Sequence, residues 1–414
     1  MAIIRPFKAL RPVQEKAALV SALPYDVIDS QEAMEAAKNN PLSFIHVEKA
    51  EIDLDKDTDI YSSEVYNKAA QNLKKLEEDG ILINEEKPCL YVYRLTRNGH
   101  SQTGIVCCTS IDDYLNGVIK KHELTKEDKE KDRTNYVLSC NANTSPIFLT
   151  YKAESSFEEV EKTVAEKEPL YDFTSEDGIG HTVWIIDDDS EIEKIVSYFK
   201  NIPFLYIADG HHRNASAANA AIEMRKQNPD YTGEEEFNYC LSVIFPSNEL
   251  QIMDYNRIVK DLNGLTEDDF LQKISDHFFI RPYTRIGSFR PFMKHQFGMY
   301  LGNKWYMVTV DESTIPDDPI GSLDVSLLYD NLLNPVLGIG NPRTDDRIDY
   351  VGGVRGLAEL ERAVIVGRAK IAFSMYPTSI EELMNVADNN LLMPPKSTWF
   401  EPKLRSGLFI HKFN

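Results

Sequence analysis

Apolar and polar residues follow two periods along this chain, and the two periods take turns. Short apolar-rich runs bounded by Gly, Pro and Asn have the length and composition of strands. Longer segments repeat their apolar residues every three or four positions, which places them on one face of a helix. Because no internal repeat is present and strands alternate with helices, the pattern predicts a mixed α/β fold.

The strand pattern occurs throughout the chain. We predict Tyr239–Phe245 and Leu250–Asp254 to form a β pair. Phe297–Leu301 and Trp305–Val310 are predicted to form a hairpin, because Gly302-Asn303 suits a tight turn between them. The other predicted strands are Phe44–Val47, Leu90–Leu95, Gly104–Ser110, the apolar end of Asn141–Tyr151, Thr182–Ile186 and Phe204–Ala208.

The clearest helix is predicted near Ser62–Asp79, where the apolar positions Val65, Ala69, Leu73 and Leu76 share one face. Gly80 follows as a C-cap. The other predicted helices are the highly charged Glu123–Ser139, and Ser190–Phe199, Arg213–Gln227, Leu323–Asn334, Gly356–Val366 and Ser379–Asn389.

Grouping these elements predicts four segments. Residues 1–150 form an N-terminal α/β region, and residues 151–265 carry the chemical motif described below. Residues 266–322 are expected to be a small insertion that contains the hairpin, and residues 323–414 a helical C-terminal region that closes the site.

The charge balance narrows the range of partners. The 414 residues include 45 Lys and Arg against 66 Asp and Glu, a net charge of −21. So acidic a surface repels phosphate backbones and anionic membranes, so nucleic acid and membrane are not expected partners. No stretch reaches the ~20 apolar residues of a membrane helix, and the N-terminus lacks a signal-peptide core. The five cysteines show no C-x-x-C pair, so we expect a cytoplasmic protein without disulfides, with Cys107-Cys108 buried in a strand.

One segment combines an apolar strand with a cluster of polar residues: Asp209-Gly210-His211-His212-Arg213, followed at once by an Ala-rich helix. A helix N-terminus has unpaired N–H groups and a dipole that favours an anion. Gly210 permits a tight turn, Arg213 can donate two hydrogen bonds to a phosphate, and Asp209 can bind Mg²⁺ or orient a nucleophile. The motif therefore predicts a phosphate-binding loop.

Two other interpretations of this motif stay open. Asp-Gly is a common turn, in which Arg213 simply pairs with Asp209. The His pair also matches zinc chemistry, although neighbouring side chains in a tight turn rarely point at one ion and no H-E-x-x-H pattern is present. The chain has no G-x-x-x-x-G-K-[ST] loop and no G-x-S-x-G elbow.

The motif resembles the ligand-binding motif of the ParB/sulfiredoxin superfamily, which includes partition proteins, sulfiredoxin and a free-serine kinase. Asp209 matches the serine-kinase variant, whereas histidine stands where sulfiredoxin has its reactive cysteine. The whole chain resembles the domain-of-unknown-function 1015 family, and a ParB/sulfiredoxin-like core with helical and hairpin additions is the implied fold. The matching segments are Leu23–Ile28, Lys121–Glu123, Asp132-Arg133, Tyr206–Arg213, Asp254–Arg257, Pro394–Thr398 and Ser406-Gly407.

Further polar residues are candidates for the same site, each with a structural alternative. Asp26 is either a second carboxylate facing the loop or a turn residue. His122-Glu123 is expected to start the charged helix, with Glu123 a base or a helix-capping residue. Arg257 either binds a substrate carboxylate or pairs with Asp254. Lys396 lies in a tail, Arg355–Asn414, whose net charge is +2.

Arg133, ten residues after Glu123, is expected to be an exposed ion-pair partner that does not reach the site.

The resemblance implies phosphoryl transfer from ATP or ADP, with Mg²⁺, to a small hydroxyl metabolite such as free L-serine. Gly210, His211, His212, Arg213 and Lys396 would then hold the phosphates, with Asp209 on the metal. Asp209, Glu123 and Asp26 would act on the acceptor hydroxyl, and Arg257 and His122 would bind the acceptor. A regulatory module that binds nucleotide without turnover and a metal-dependent phosphatase or hydrolase are the alternatives. The oligomeric state is left open by the sequence.

Overall fold

The structure, a computed structural model, describes residues 1–153 and 162–414. These divide into two compact units. Unit 1 comprises Met1–Lys121, Thr125–Leu250 and Pro402–Asn414, and unit 2 comprises His122–Leu124 and Gln251–Glu401. Most of unit 2 is therefore one insertion into unit 1, a division that differs from the four segments proposed from the sequence.

Unit 1 is built from short strands and helices of very unequal length. Before the insertion its strands are β1 (Ile4–Arg5), β2 (Ala9–Pro12), β3 (Leu82–Asn84), β4 (Leu90–Arg97), β5 (His100–Ser110), β6 (Ile119–Lys120), β7 (Ala142–Asn143), β8 (Ile147–Tyr151), β9 (Tyr171–Thr174), β10 (Gly180–Ile186), β11 (Leu205–Asp209) and β12 (Tyr239–Pro246). The helices that the described residues form here are α1 (Ala17–Val20), α2 (Ser30–Ala37), α3 (Ile45–Glu48), α4 (Ser63–Glu78), α5 (Ile111–Leu115), α6 (Glu127–Cys140), α7 (Asp189–Phe199) and α8 (His211–Gln227).

Unit 2 continues the mixed pattern, and the chain then returns to unit 1 for one last strand, β21 (Ile410–Lys412). The unit 2 strands are β13 (Gln251–Ile252), β14 (Tyr255–Val259), β15 (Phe278–Pro282), β16 (Gln296–Leu301), β17 (Lys304–Val310), β18 (Ile348–Gly352), β19 (Ile371–Ser374) and β20 (Phe400–Glu401). Its helices are α9 (Glu267–Ile274), α10 (Asp324–Leu328), α11 (Leu357–Ile365) and α12 (Ile380–Asp388).

The main sheet of unit 1 has the order β6-β11-β8-β12-β5-β4-β10-β9, with β1 also paired to β5. It is mixed, because β12 pairs β8 and β11 pairs β6 in parallel while the other pairs are antiparallel. The run Gly104–Ser110 is buried at every position, as expected for a strand covered on both faces. Cys107 and Cys108 lie fully buried within it. The predicted mixed α/β class is confirmed.

A second sheet of unit 1, β3-β2-β21-β7, lies beside the long helix α4 in one apolar cluster. Val65, Ala69, Leu73 and Leu76 of α4 are all buried there, and Gly80 follows with φ +67°. The predicted helix and its glycine cap are therefore confirmed.

Unit 2 has a sheet of order β15-β17-β16-β19-β14-β18 and a separate pair, β13 with β20. The predicted hairpin is β16 and β17, and both Gly302 and Asn303 have positive φ, as a type I′ turn requires. The predicted helices near Gly356–Val366 and Ser379–Asn389 correspond to α11 and α12, the second with a capping box from Ser379 to Glu382.

Three predictions of local structure are wrong. Phe44–Val47 is not a strand but the start of the single-turn helix α3, because a short buried apolar run has no distinguishing period. The segments Tyr239–Phe245 and Leu250–Asp254 do not pair. β12 has β5 on one edge and β8 on the other, so neither edge is open, and β13 pairs β20 instead.

The third error concerns Leu323–Asn334, predicted as one helix. Its α-helical part ends at Leu328, and Tyr329–Leu333 continues as a π-helix. In the described residues no helix is long and apolar enough to cross a membrane.

Gly104 of β5 provides a test of the packing in the main sheet. A Cβ atom there would lie 2.8 Å from Phe245 Cδ1 and 2.9 Å from the Ile244 carbonyl oxygen. We expect Gly104→Ala to lower the free energy of unfolding by about 1–3 kcal/mol, because overpacked sites relax only by shifting side chains or backbone. Urea denaturation measures this change.

Gly180→Ala in β10 of the same sheet is the matched control, since its nearest neighbour would be Thr96 Cβ at 3.5 Å. Gly180→Ala should be neutral or stabilising by up to ~1 kcal/mol. Equal effects of the two substitutions would contradict the tight packing described for Gly104.

Candidate functional site

The Asp209–Arg213 segment, predicted to bind phosphate, lies at the C-terminal end of β11, in unit 1. β11 pairs β8 with a register shift between Ile207 and Asp209, and α8 starts two residues after Asp209. Between them Gly210 adopts the left-handed conformation, φ 91° and ψ 30°. An added Cβ would lie 3.2 Å from Arg213 Cζ, so both backbone and space favour glycine. As the N-cap residue, Gly210 has no side chain of its own to cap the helix.

Asp209 accepts hydrogen bonds with both carboxylate oxygens. The Gly210 N–H donates to Oδ1 at 2.8 Å, and Lys403 Nζ donates to Oδ2 at 2.9 Å. Burial opposes ionisation of Asp209, but Lys403, Arg213 and the Gly210 N–H outweigh it and hold the pKa of this carboxyl well below its usual value. Asp209 is therefore an anion at neutral pH.

Arg213 is anchored on one side and open to further bonding on another. Its Nη1 donates to the Pro146 carbonyl at 2.6 Å, and Nη2 lies 3.5 Å from Asp26 Oδ2. Only 10% of the side chain is exposed, yet Nε has no hydrogen-bond partner among the residues the structure describes. A buried guanidinium donor without a partner is costly, and an incoming anion would satisfy it.

Asp26 is the predicted second carboxylate, and the structure brings it to Arg213. About a third of its side chain is exposed, so solvent reaches it. Beside this pair lies a cavity of about 30 Å³, enough for one or two water molecules. Its lining includes Tyr25, Glu48, Arg133, Thr144, Ser145 and Arg213.

The two histidines of the motif differ in their surroundings. His211 is buried in the first turn of α8. His212 accepts a hydrogen bond at Nε2 from the Lys126 backbone N–H at 3.1 Å, so its proton is on Nδ1. Burial lowers the pKa of His212, which keeps the ring neutral at pH 7.

The remaining candidates, His122, Glu123, Arg257 and Lys396, belong to unit 2. Within that unit, Arg257 Nη2 donates to the Lys396 carbonyl at 3.0 Å. His122 Nε2 lies 3.4 Å from Thr398 Oγ1, and the His122 carbonyl accepts from the Met393 N–H. Arg257 and His122 thus both contact the chain segment Lys396–Thr398.

Several expectations about these residues are wrong. The charged helix α6 begins at Glu127 rather than at His122-Glu123, because Lys126 is still extended where its N–H bonds to His212. Arg257 lies within β14, between β18 and β19. It does not pair with Asp254, whose Oδ1 accepts from Arg290 at 2.6 Å.

Arg133 is not an exposed ion-pair partner remote from the site. Its side chain is 11% exposed, and its Nε pairs with Asp132 at 2.9 Å. Its guanidinium stacks 4.4 Å from the Tyr25 ring centroid, and it lines the same cavity as Arg213. The helical spacing from Glu123 misled the prediction, since Glu123 is not on the helix.

Sequence reasoning missed the partner of Asp209, since Lys403 is 194 residues away along the chain. The available signal was the slightly basic tail, where Lys403 and Arg405 follow Lys396. Arg405 has a structural role instead, because it is buried and donates to Ser175 Oγ and Asp177 within unit 1.

Asp209 is the predicted metal ligand. Across residues 1–153 and 162–414, no group of three or more His, Cys, Asp and Glu side chains is placed to hold a metal ion. Magnesium is usually held by one or two carboxylates together with substrate phosphates. The ionised Asp209 could be one such carboxylate, and Asp26 lies next to the neighbouring Arg213.

With the geometry established, comparison with known proteins gives one firm result. Residues 4–326 match the family described as "Protein of unknown function (DUF1015)", and the chain belongs to that family. No curated protein matches the chain.

Among solved structures, similarity is loose. A free serine kinase in complex with AMP is 12% identical with a TM-score of 0.34, covering 74% of this chain and 91% of the kinase. A conserved hypothetical protein from Pyrococcus furiosus is 12% identical with a TM-score of 0.35, covering 74% of this chain and 94% of that one. A C-terminally truncated SbnI from Staphylococcus aureus is 10% identical with a TM-score of 0.35, covering 72% and 82%. The site is therefore interpreted from its own geometry.

Asp209→Asn tests the ion pair through the pH dependence of stability. The pKa of Asp209 is lower in the folded than in the unfolded chain, so its contribution is full above its ordinary pKa near ~4 and is lost as pH falls below it. At pH 7 we expect Asp209→Asn to cost about 2 kcal/mol, because Lys403 keeps its charge without an ionised partner. The difference from wild type should shrink as pH falls from about 5 towards 2. Urea denaturation at a series of pH values measures it.

Asp230→Asn, at an exposed position, is the control and should leave the pH dependence unchanged. A wild-type to Asp209→Asn difference that stays constant over this pH range would show that Asp209 is not held ionised by Lys403.

Proposed function

We propose that this member of the DUF1015 family binds a nucleotide through its phosphates at the N-terminus of α8 and transfers a phosphoryl group to a small hydroxyl metabolite. The observation that carries the proposal is the buried Arg213, whose Nε is unpartnered among the described residues, in the first turn of a helix whose N-cap is glycine. Backbone N–H groups at such an end, with the helix dipole, favour phosphate.

The two cations near the N-terminus of α8, Lys403 and Arg213, could exchange a carboxylate partner for a phosphate. Lys403 is held by Asp209 and Arg213 by Asp26, so neither charge is left unpaired without a ligand. A nucleotide phosphate would accept hydrogen bonds from the same donors. Since Gly210 has no side chain, the phosphate can approach the backbone closely. Neutral His212 can donate from Nδ1 without adding charge.

Phosphoryl transfer also needs a group that orients the acceptor hydroxyl and one that neutralises the charge on the transferring phosphoryl. In unit 1, Asp26 suits the first role, because its carboxylate is partly exposed beside Arg213. Asp209 would hold Mg²⁺ together with the nucleotide phosphates, and the ion would neutralise the phosphoryl charge. The roles predicted for Glu123, His122, Arg257 and Lys396 stay predictions.

The nature of donor and acceptor comes from the resemblance of the Asp209–Arg213 motif to the serine-kinase variant of the ParB/sulfiredoxin superfamily. ATP or ADP is the proposed donor and free L-serine the leading acceptor. The loop would recognise the phosphates, which ATP and ADP share, so its geometry supports the donor class and not the identity of the acceptor.

Arg213→Lys tests the phosphate site, because lysine keeps the positive charge but loses the planar fork. We expect ATP and ADP to bind at least about tenfold more weakly, as the loss of one charge-assisted hydrogen bond predicts. Calorimetric titration in Mg²⁺ measures binding. Mass spectrometry after incubation with L-serine and a panel of hydroxyl metabolites detects the phosphorylated product.

Arg225→Lys, in the last turn of the same helix, is the matched control and should bind nucleotide as wild type does. Equal nucleotide affinity in Arg213→Lys and Arg225→Lys would contradict the proposed phosphate site. Nucleotide binding without product for any acceptor would favour the regulatory module, and chelator-sensitive ester hydrolysis would favour a hydrolase.

A further inference from the structure

Unit 2 contains a pocket of its own, with a volume of about 430 Å³. This size falls within the range of pockets that hold small organic ligands, about 300–1,000 Å³. The walls are mainly apolar and aromatic. Among the described lining residues are Arg257, Val325, Tyr329, Leu333, Gly340 and Tyr350, of which Arg257 alone carries a charge.

Arg257 is a buried cation without an acidic partner. The residue is 4% exposed, and its guanidinium donates to two backbone carbonyls, those of Tyr255 and Lys396. No carboxylate in the described part of the chain lies within 4.0 Å of it, and the neighbouring Asp254 pairs with Arg290. Asp324 acts on the guanidinium electrostatically, but without an ion-pair contact. Burial lowers the pKa of Arg257 to about 10, so it is still protonated at pH 7. A buried cation without a carboxylate in direct contact is costly, and an anionic ligand would supply that contact.

The backbone around this pocket is unusual in two independent ways. The wall that carries Tyr329 and Leu333 is the π-helix Tyr329–Leu333, a conformation often found at functional sites. On the Arg257 side, Lys396, whose carbonyl accepts from the guanidinium, has φ +60°, although it is not glycine. Strained residues of this kind cluster at ligand sites.

We propose that this pocket binds a small organic carboxylate, with the carboxylate on Arg257 and an apolar or aromatic body against Tyr350, Val325 and Leu333. A single guanidinium among apolar walls matches a monoanion of this kind and not a polyphosphate, which requires several donors. Tyr350 already lies against the guanidinium, with its ring centroid 5.6 Å from Arg257 Cζ. The inference stands on unit 2 alone and does not depend on the phosphate site.

Calorimetric titration of the full chain, without nucleotide, tests the proposal with benzoate, phenylacetate, indole-3-acetate and hexanoate. Each acid is paired with its neutral amide, and inorganic phosphate is titrated separately. We expect at least one acid to bind saturably, and its amide at least about tenfold more weakly, as the loss of a charge-assisted hydrogen bond predicts.

Substitutions at Gly340 and Arg257 locate the binding. Gly340→Phe should abolish it, because Gly340 lines the pocket and a Cβ there meets no atom within 4 Å, so the ring can enter the pocket without strain. Gly340→Ala is its matched control and should bind the acid. Arg257→Gln should remove the preference for acid over amide, and Arg213→Lys, in the separate phosphate site, should leave binding of the acid unchanged.

Three results would each overturn the inference: no saturable binding of any acid, equal binding of acid and amide, or full affinity in Gly340→Phe. Inorganic phosphate binding as tightly as the best acid would also refute the carboxylate assignment. If Arg257→Gln fails to fold, the acid and amide pairs and the two Gly340 variants still decide.

Discussion

The ion pair between Asp209 and Lys403 is the constraint on which the candidate site depends. It joins the end of β11 to the segment that returns to unit 1 after the long insertion, across 194 residues of sequence. Because the pair keeps Asp209 ionised, the Gly210 N–H has a fixed anionic acceptor and the left-handed turn into α8 is held in place. Arg213 lies in the first turn of that helix, so its position depends on the same left-handed turn at Gly210.

The proposed site would let a strongly acidic protein hold an anion. The net charge of −21 describes the whole chain, whereas at the loop Lys403 and Arg213 each have one carboxylate nearby. In the absence of a ligand, the attraction of each carboxylate offsets part of the free energy needed to bury its cation. In the proposed complex a phosphate would share these cations with Asp209 and Asp26, and Arg213 Nε, unpartnered within the described residues, would gain a hydrogen bond.

Arg257 in unit 2 illustrates the opposite arrangement. Its charge is buried against backbone carbonyls, and no acid among the described side chains forms an ion pair with it, although Asp324 acts on it without direct contact. Carbonyl dipoles stabilise a guanidinium less than a carboxylate does, which is why burial lowers its pKa. Both arginines stand in conspicuous polar motifs of the sequence, yet they differ in what they offer to a ligand. Arg213 would exchange a carboxylate partner for the ligand, whereas Arg257 has no carboxylate in direct contact among the described residues.

The sequence by itself determined the local features of this protein. Period alone located α4, the β16–β17 hairpin and the strand that carries Cys107-Cys108, because these depend on residues close together in the chain. The Asp209–Arg213 motif was visible for the same reason. Tertiary structure decided which strands have free edges, so β12 could not pair with its neighbour in sequence. It also decided that Arg133 is buried, that Lys403 rather than Arg213 bonds to Asp209, and that Arg257 has no acidic partner among the described residues. Pairings over hundreds of residues are set by how whole elements pack, and no local pattern of the chain encodes them.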